Sequence, residues 1–116
     1  MEQIQLPLMG RLDGPSIVPA HAVRACKSYR EACRTSWALR RVRNMTQRRL
    51  AEEAGLRPQL ITDYLNADDK PSRKSLPAER IASFERVVGN SLLSQWVAAQ
   101  ARLTVLEEMQ AERVAA

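Results

Sequence analysis

Aromatic residues are scarce in this chain, with one Phe, two Tyr and two Trp among 116 residues. β-Branched residues never alternate over a long run, and together these features argue against a sheet protein. His21 is the single histidine and no ligand set surrounds the two cysteines, so no metal site is expected. The four glycines are scattered, which excludes a glycine-rich phosphate loop. No nucleophile–histidine pair is credible, and the side chains of Glu52-Glu53 and Asp68-Asp69 diverge on a helix. Neither an enzyme nor a cofactor is expected. No apolar run approaches the roughly 20 residues that span a bilayer, so no membrane partner is expected, and no export signal is visible. On one helix Cys26 and Cys33 would stand about 10 Å apart, too far for a disulfide. Reduced core thiols fit a cytoplasmic chain.

What is present is a length suited to one domain and an ordinary apolar fraction rich in Ala, Leu and Val. The net charge of +5 and pI near 9.9 suit a polyanionic partner. Residues 1–19 carry Pro7, Gly10, Gly14, Pro15 and Pro19, a spacing that no helix survives. Ile4 to Met9 alternates weakly like a strand. This segment reads either as a loose tail or as an arm that packs on a partner subunit.

Residues 20–43 read as one helix, with Ala25, Tyr29, Ala32, Ser36, Leu39 and Val42 recurring at three- and four-residue steps, widened by Cys33 and Trp37. Its other surface is basic (Arg24, Lys27, Arg30, Arg34, Arg40, Arg41 and Arg43) and reads as a solvated face or as a phosphate contact. Thr46 is a good N-cap for a helix over 47–54 that buries Leu50, Ala51 and Ala54. Gly55 can take positive φ at the following turn. The next helix starts near Pro58, ends near Asn66 and buries Ile61, Tyr64 and Leu65. After a polar loop over 67–76, a helix from Pro77 buries Ile81, Phe84, Val87 and Val88 and stops at Gly89-Asn90. Ser91 opens another with Leu92, Leu93, Trp96, Val97 and Ala101. Thr104 and Glu107 form a capping box, so the chain ends in a sixth helix or a continuation of the fifth. The expected division is a loose or arm-like segment over 1–19, a DNA-binding domain over 20–90 and a dimerising helical extension over 91–116. That extension offers Trp96, Val97, Leu103, Val105, Leu106 and Met109.

Residues 46–66 have the grammar of a helix-turn-helix. Small Ala51 suits a close helix crossing, Gly55 follows four residues later, and Leu56, Ile61 and Tyr64 pin the second helix from behind. Gln59, Thr62, Asp63 and Asn66 then share its outer face. Gln pairs bidentately with adenine, the Thr62 methyl meets a thymine methyl, and Asp63 accepts from cytosine N4. Asp63 reads equally as a brace for Arg57 or Arg48. Arg57 can reach guanine or a phosphate. Gln47 at a helix N-terminus, with Arg48 beside it, favours a phosphate. Lys70, Arg73 and Lys74 in the following loop flank the duplex or simply solubilise the loop.

The run Met45-Thr46-Gln47-Arg48-Arg49-Leu50-Ala51-Glu52-Glu53-Ala54-Gly55-Leu56 resembles the phage Cro/repressor type of helix-turn-helix, the xenobiotic-response-element class. A softer similarity over Ser75 to Ile81 and Gly89 to Leu93 is to small phage CII-like regulators. The resemblance implies an all-α bundle of five or six helices of lambda-repressor-like type. It also implies a sequence-specific transcriptional regulator of double-stranded DNA, dimeric and of phage or prophage origin. Arg57 and Pro58 depart from the small polar cap that commonly opens the recognition helix, and Asp63 places a negative charge on its outer face. The rival expectation is a protein-binding accessory factor or antitoxin whose helical domain mainly engages a protein partner.

Overall fold

A computed structural model describes residues 14–68 and 70–115. The fold is all-α: α1 (Ala20–Ala25), α2 (Tyr29–Ala38), α3 (Gln47–Ala54), α4 (Pro58–Tyr64), α5 (Ile81–Val88) and α6 (Leu92–Ala115), with a short 3-10 turn over Ala78–Arg80 leading into α5. Among the described residues, extended pairing is confined to one isolated bridge between Ser16 and Asn90. α1 and α2 pack on the first turns of α6, while α3 packs on α5 and α4. Phe84, Leu50, Leu92, Leu93, Val88 and Cys33 fill the centre. Leu92 and Leu93 therefore place the start of α6 in the same core as the helices before it. No helix among the described residues is long and apolar enough to cross a membrane.

The single helix expected over 20–43 is two helices. Ser28 breaks the run because its hydroxyl accepts from the Glu31 amide at 3.1 Å, while the Glu31 carboxylate accepts from the Lys27 amide at 2.9 Å. This local cap replaces the helical ladder and leaves Cys26 extended, with φ −80° and ψ 125°. Cys26 and Cys33 thus belong to different segments, and both are free and buried. The far end of the expected helix is also missing. Asn90 Nδ2 donates to the carbonyls of Ser36 at 3.0 Å and Leu39 at 3.4 Å, and the Arg41 amide bonds to Val88 O at 2.7 Å. With those groups engaged elsewhere, α2 stops at Ala38, and Leu39 and Val42 stand partly exposed rather than in the core. Ala25 is exposed as well.

A further expectation changes. Thr104 caps nothing: α6 runs through it, and its hydroxyl donates to Gln100 O at 3.1 Å. Part of the segment expected to be loose or arm-like, residues 14–19, makes contacts within this chain. Ser16 N–H donates to Gly89 O, and Ser91 N–H to Ser16 O, each at 2.9 Å. Val18 is buried, and its amide and carbonyl pair with the Gln95 side chain, each at 2.9 Å. Residues 1–13, including Ile4 to Met9, lie outside the described residues.

The start of α6 is held by polar side chains. Asn90 Oδ1 accepts from Leu92 N–H at 3.2 Å, and the buried Glu85 carboxylate accepts from the Ser94 amide at 2.7 Å and hydroxyl at 2.6 Å. These bonds satisfy amides that a helix N-terminus otherwise leaves unpaired.

Gly55 and Gly89 both end helices with positive φ, at 71° and 89°. A Cβ on Gly55 would meet nothing nearer than Arg80 Nη1 at 3.8 Å, whereas one on Gly89 would lie 2.8 Å from Arg41 Cβ. Gly55→Ala is expected to cost about 1 kcal/mol from the left-handed backbone alone. Gly89→Ala should cost about twice that or more, because a clash adds to the strain; thermal denaturation of the two variants compares them.

Burial pushes the Cys33 thiol from its ordinary 9.0 up to about 12; the Arg30 charge opposes the shift and the Glu85 charge adds to it. The folded state therefore holds this proton longer than the unfolded chain does. Its contribution to stability is complete below pH 9 and is lost as pH rises through 9 towards 12. Cys33→Ala should flatten the alkaline fall in melting temperature, measured between neutral pH and the alkaline limb.

Candidate functional site

The α3–α4 pair is built as its sequence dictates. Thr46 caps α3 by accepting from the Arg49 amide at 3.1 Å. Leu50, Ala51 and Ala54 are buried along one side. Gly55 adopts the left-handed conformation, and the Leu56 amide bonds back to Ala51 O at 2.9 Å. Leu56 returns to the core, Arg57 is extended at the N-cap, and Pro58 occupies the first turn of α4. Proline fits there because the amide it lacks would have had no helical partner. Ile61 and Tyr64 anchor α4 from behind.

The outer face of α4 divides into exposed and engaged groups. Arg57, Pro58, Gln59 and Thr62 are exposed, whereas Asp63 and Asn66 are half-buried. Asp63 pairs with Arg73 Nη1 at 3.1 Å, and its second oxygen accepts from the Lys74 amide at 3.5 Å. Of the two expectations for Asp63, a cytosine reader or a brace for Arg57 or Arg48, the second has a different partner here, since the carboxylate pairs with Arg73. Asn66 Oδ1 accepts from the Asp68 amide at 2.9 Å, an Asx turn that closes the end of the helix. Among the described residues, Gln59 and Thr62 make no side-chain hydrogen bond, so an amide and a hydroxyl face outward unoccupied.

The surrounding charges differ in how firmly they are held. Gln47 and Arg48 are exposed at the start of α3. Arg48 lies 3.8 Å from Glu52, with both side chains mostly in solvent, a pair of little energetic weight. Lys70 pairs with Asp68 at 3.2 Å, and the Lys74 side chain is exposed. Arg30 is a correction. It was expected on a basic face, solvated or in contact with phosphate, yet it is buried, and its guanidinium donates to the carbonyls of Asp63 and, at 3.3 Å, Lys74. Beside it the Tyr29 hydroxyl donates to Leu76 O at 2.8 Å, and burial raises the Tyr29 pKa. The first turn of α2 thus fastens both the end of α4 and the loop beyond it.

Arg80 is a candidate the sequence reading missed. It shares with Arg57 a recess of about 230 Å³ whose other walls include Gly55, Leu60, Tyr64 and Pro77. Nothing local in the sequence signals this, because the packing of α5 on α3 brings Arg80 to the turn. Among the described residues no cluster of His, Cys, Asp or Glu is arranged to hold a metal ion. The arrangement presents hydrogen-bonding groups on a short, well-anchored helix with cations on either side.

Removing the brace tests this geometry. Asp63→Ala is expected to destabilise the loop by about 1 kcal/mol, read as several-fold faster hydrogen exchange at the Lys74 amide while the α3 amides stay protected. The chain matches no protein-family model, no curated protein and no solved structure.

Proposed function

We propose that α3 and α4 form a helix-turn-helix, that α4 enters the major groove of double-stranded DNA, and that the protein is a sequence-specific transcriptional regulator. The observation that carries this reading is the division of α4: Ile61 and Tyr64 are buried while Gln59 and Thr62 face solvent with unoccupied polar groups. An α-helix fits the major groove, where an amide can pair bidentately with adenine and a threonine methyl can meet thymine. Asp63 supports the loop in this scheme and does not read cytosine, since Arg73 and the Lys74 amide engage its carboxylate. Arg57, Gln47, Arg48, Lys74 and Arg80 supply phosphate contacts around the helix, and the net charge of +5 favours them.

One short helix makes few base contacts, too few for useful selectivity against a genome. Two copies placed about 34 Å apart would read successive major grooves. Val97, Val105, Leu106 and Met109 are 40% to 55% exposed along α6 and supply apolar surface for such pairing. The same surface favours a second reading, in which the domain engages a different protein.

Binding to DNA sites selected from random duplexes separates the two. Gln59→Ala should cost about 1–3 kcal/mol on the preferred site and relax preference at one base pair. Arg80→Ala should weaken all sequences alike and lower the slope of log affinity against log salt by about 1. Unchanged affinity and preference in a Gln59→Ala, Thr62→Ala double variant would reject the α4 assignment. A flat salt response would favour the protein-binding reading.

A further inference from the structure

The recess beside the α3–α4 turn gathers two cations and no acid. Arg57 and Arg80 both line it, and among the described residues neither guanidinium makes an ion pair or a hydrogen bond. Arg80 rests against the turn, its Nη1 lying 3.8 Å from where a Cβ on Gly55 would stand. Its backbone is fixed there too: the Arg80 amide bonds to Pro77 O at 2.9 Å, and its carbonyl accepts from the Ser83 hydroxyl at 3.1 Å. Like charges set around one hollow repel, and an anion between them removes that cost.

Tyr64 adds a neutral donor. It forms part of the wall and is only 7% exposed. A buried phenol usually finds a partner, yet this hydroxyl has none among the described residues. Among those residues the one sealed side-chain polar atom without a partner is Arg40 Nε, so the Tyr64 hydroxyl still reaches solvent. The hollow of about 230 Å³ holds several waters at about 30 Å³ each, room enough for a phosphoryl group. One guanidinium fork occupies both oxygens of a carboxylate. Phosphoryl oxygens point along tetrahedral directions and can accept from two forks at once.

We infer that this recess is a phosphoryl-binding site, in which Arg57 and Arg80 grip one phosphate group and the Tyr64 hydroxyl donates a further bond to it. Leu60 and Pro77 supply apolar wall, which strengthens the pairing by lowering the local dielectric. The phosphate comes from the backbone of a duplex or from a free phosphorylated ligand. Where a duplex is the source, the proposal rests on the regulator reading and gives both arginines the same phosphate rather than one each.

Titrating the DNA-free protein with inorganic phosphate tests the site, read by amide NMR with ionic strength held by sodium chloride. Saturable shifts are expected at Gly55, Leu56, Leu60 and Arg80. Arg57→Ala and Arg80→Ala should each weaken binding about fivefold or more. Tyr64→Phe, which keeps the ring in place, should weaken it about threefold. Shifts that never saturate, that acetate reproduces equally, or that survive unchanged in any of the three variants would overturn the proposal. Adding a duplex of arbitrary sequence then identifies the source. If the duplex displaces phosphate from the recess, its backbone is the ligand. An Arg57→Ala, Arg80→Ala double variant should then lower the slope of log affinity against log salt by about 1, as one shared phosphate requires, and a fall of about 2 would overturn the sharing. If phosphate and duplex bind together, the ligand is a free phosphorylated molecule and the site stands. The phosphate titration needs no DNA, so it can succeed where the α4 assignment fails, and the reverse.

Discussion

The side-chain amide of Asn90 closes one helix and opens another. Its Oδ1 accepts from the Ser36 hydroxyl at 2.8 Å and from Leu92 N–H at 3.2 Å, while its Nδ2 bonds to the Ser36 and Leu39 carbonyls. Both ends of the amide are satisfied in a place where water does not reach. Leaving any of these partners unpaired would cost about 1–3 kcal/mol apiece. That constraint sets where α2 ends and where α6 begins.

Held at its C-terminal end by Asn90 and at its N-terminal end by the Ser28–Glu31 cap, α2 acts as a strut. Tyr29 and Arg30 lie in its first turn and reach Leu76, Asp63 and Lys74. The end of α4 and the loop after it are thus positioned by a helix more than thirty residues earlier in the chain. The outward face of α4 needs no rigidity of its own, because its back is set in the core and its end is tied to α2.

The α3–α4 region was legible because its signals are local. Thr46, Ala51, Gly55 and Pro58 each act within a turn of their position, and the span of α3, its cap and its buried side matched expectation. The break at Ser28 was also local, but the apolar stripe through it concealed the cap. Arg30 and Glu85 could not be read in the same way. A buried charge has no sequence signature when its partners are distant carbonyls or the first turn of another helix. Hydrophobic periodicity likewise predicted Leu39 and Val42 in the core, since it carries no information about a carbonyl captured by Asn90.

The seal between residues 14–18 and the start of α6 has a consequence for the order of folding. Its hydrogen bonds join residues 75 and 77 positions apart, among the longest closures in the chain. A growing polypeptide cannot make them until the first turns of α6 have left the ribosome, whereas α3 and α4 can pair much earlier from contacts close in sequence. The helix pair should therefore form before the N-terminal segment docks, and Val18 stays in water until the first turns of α6 have been made.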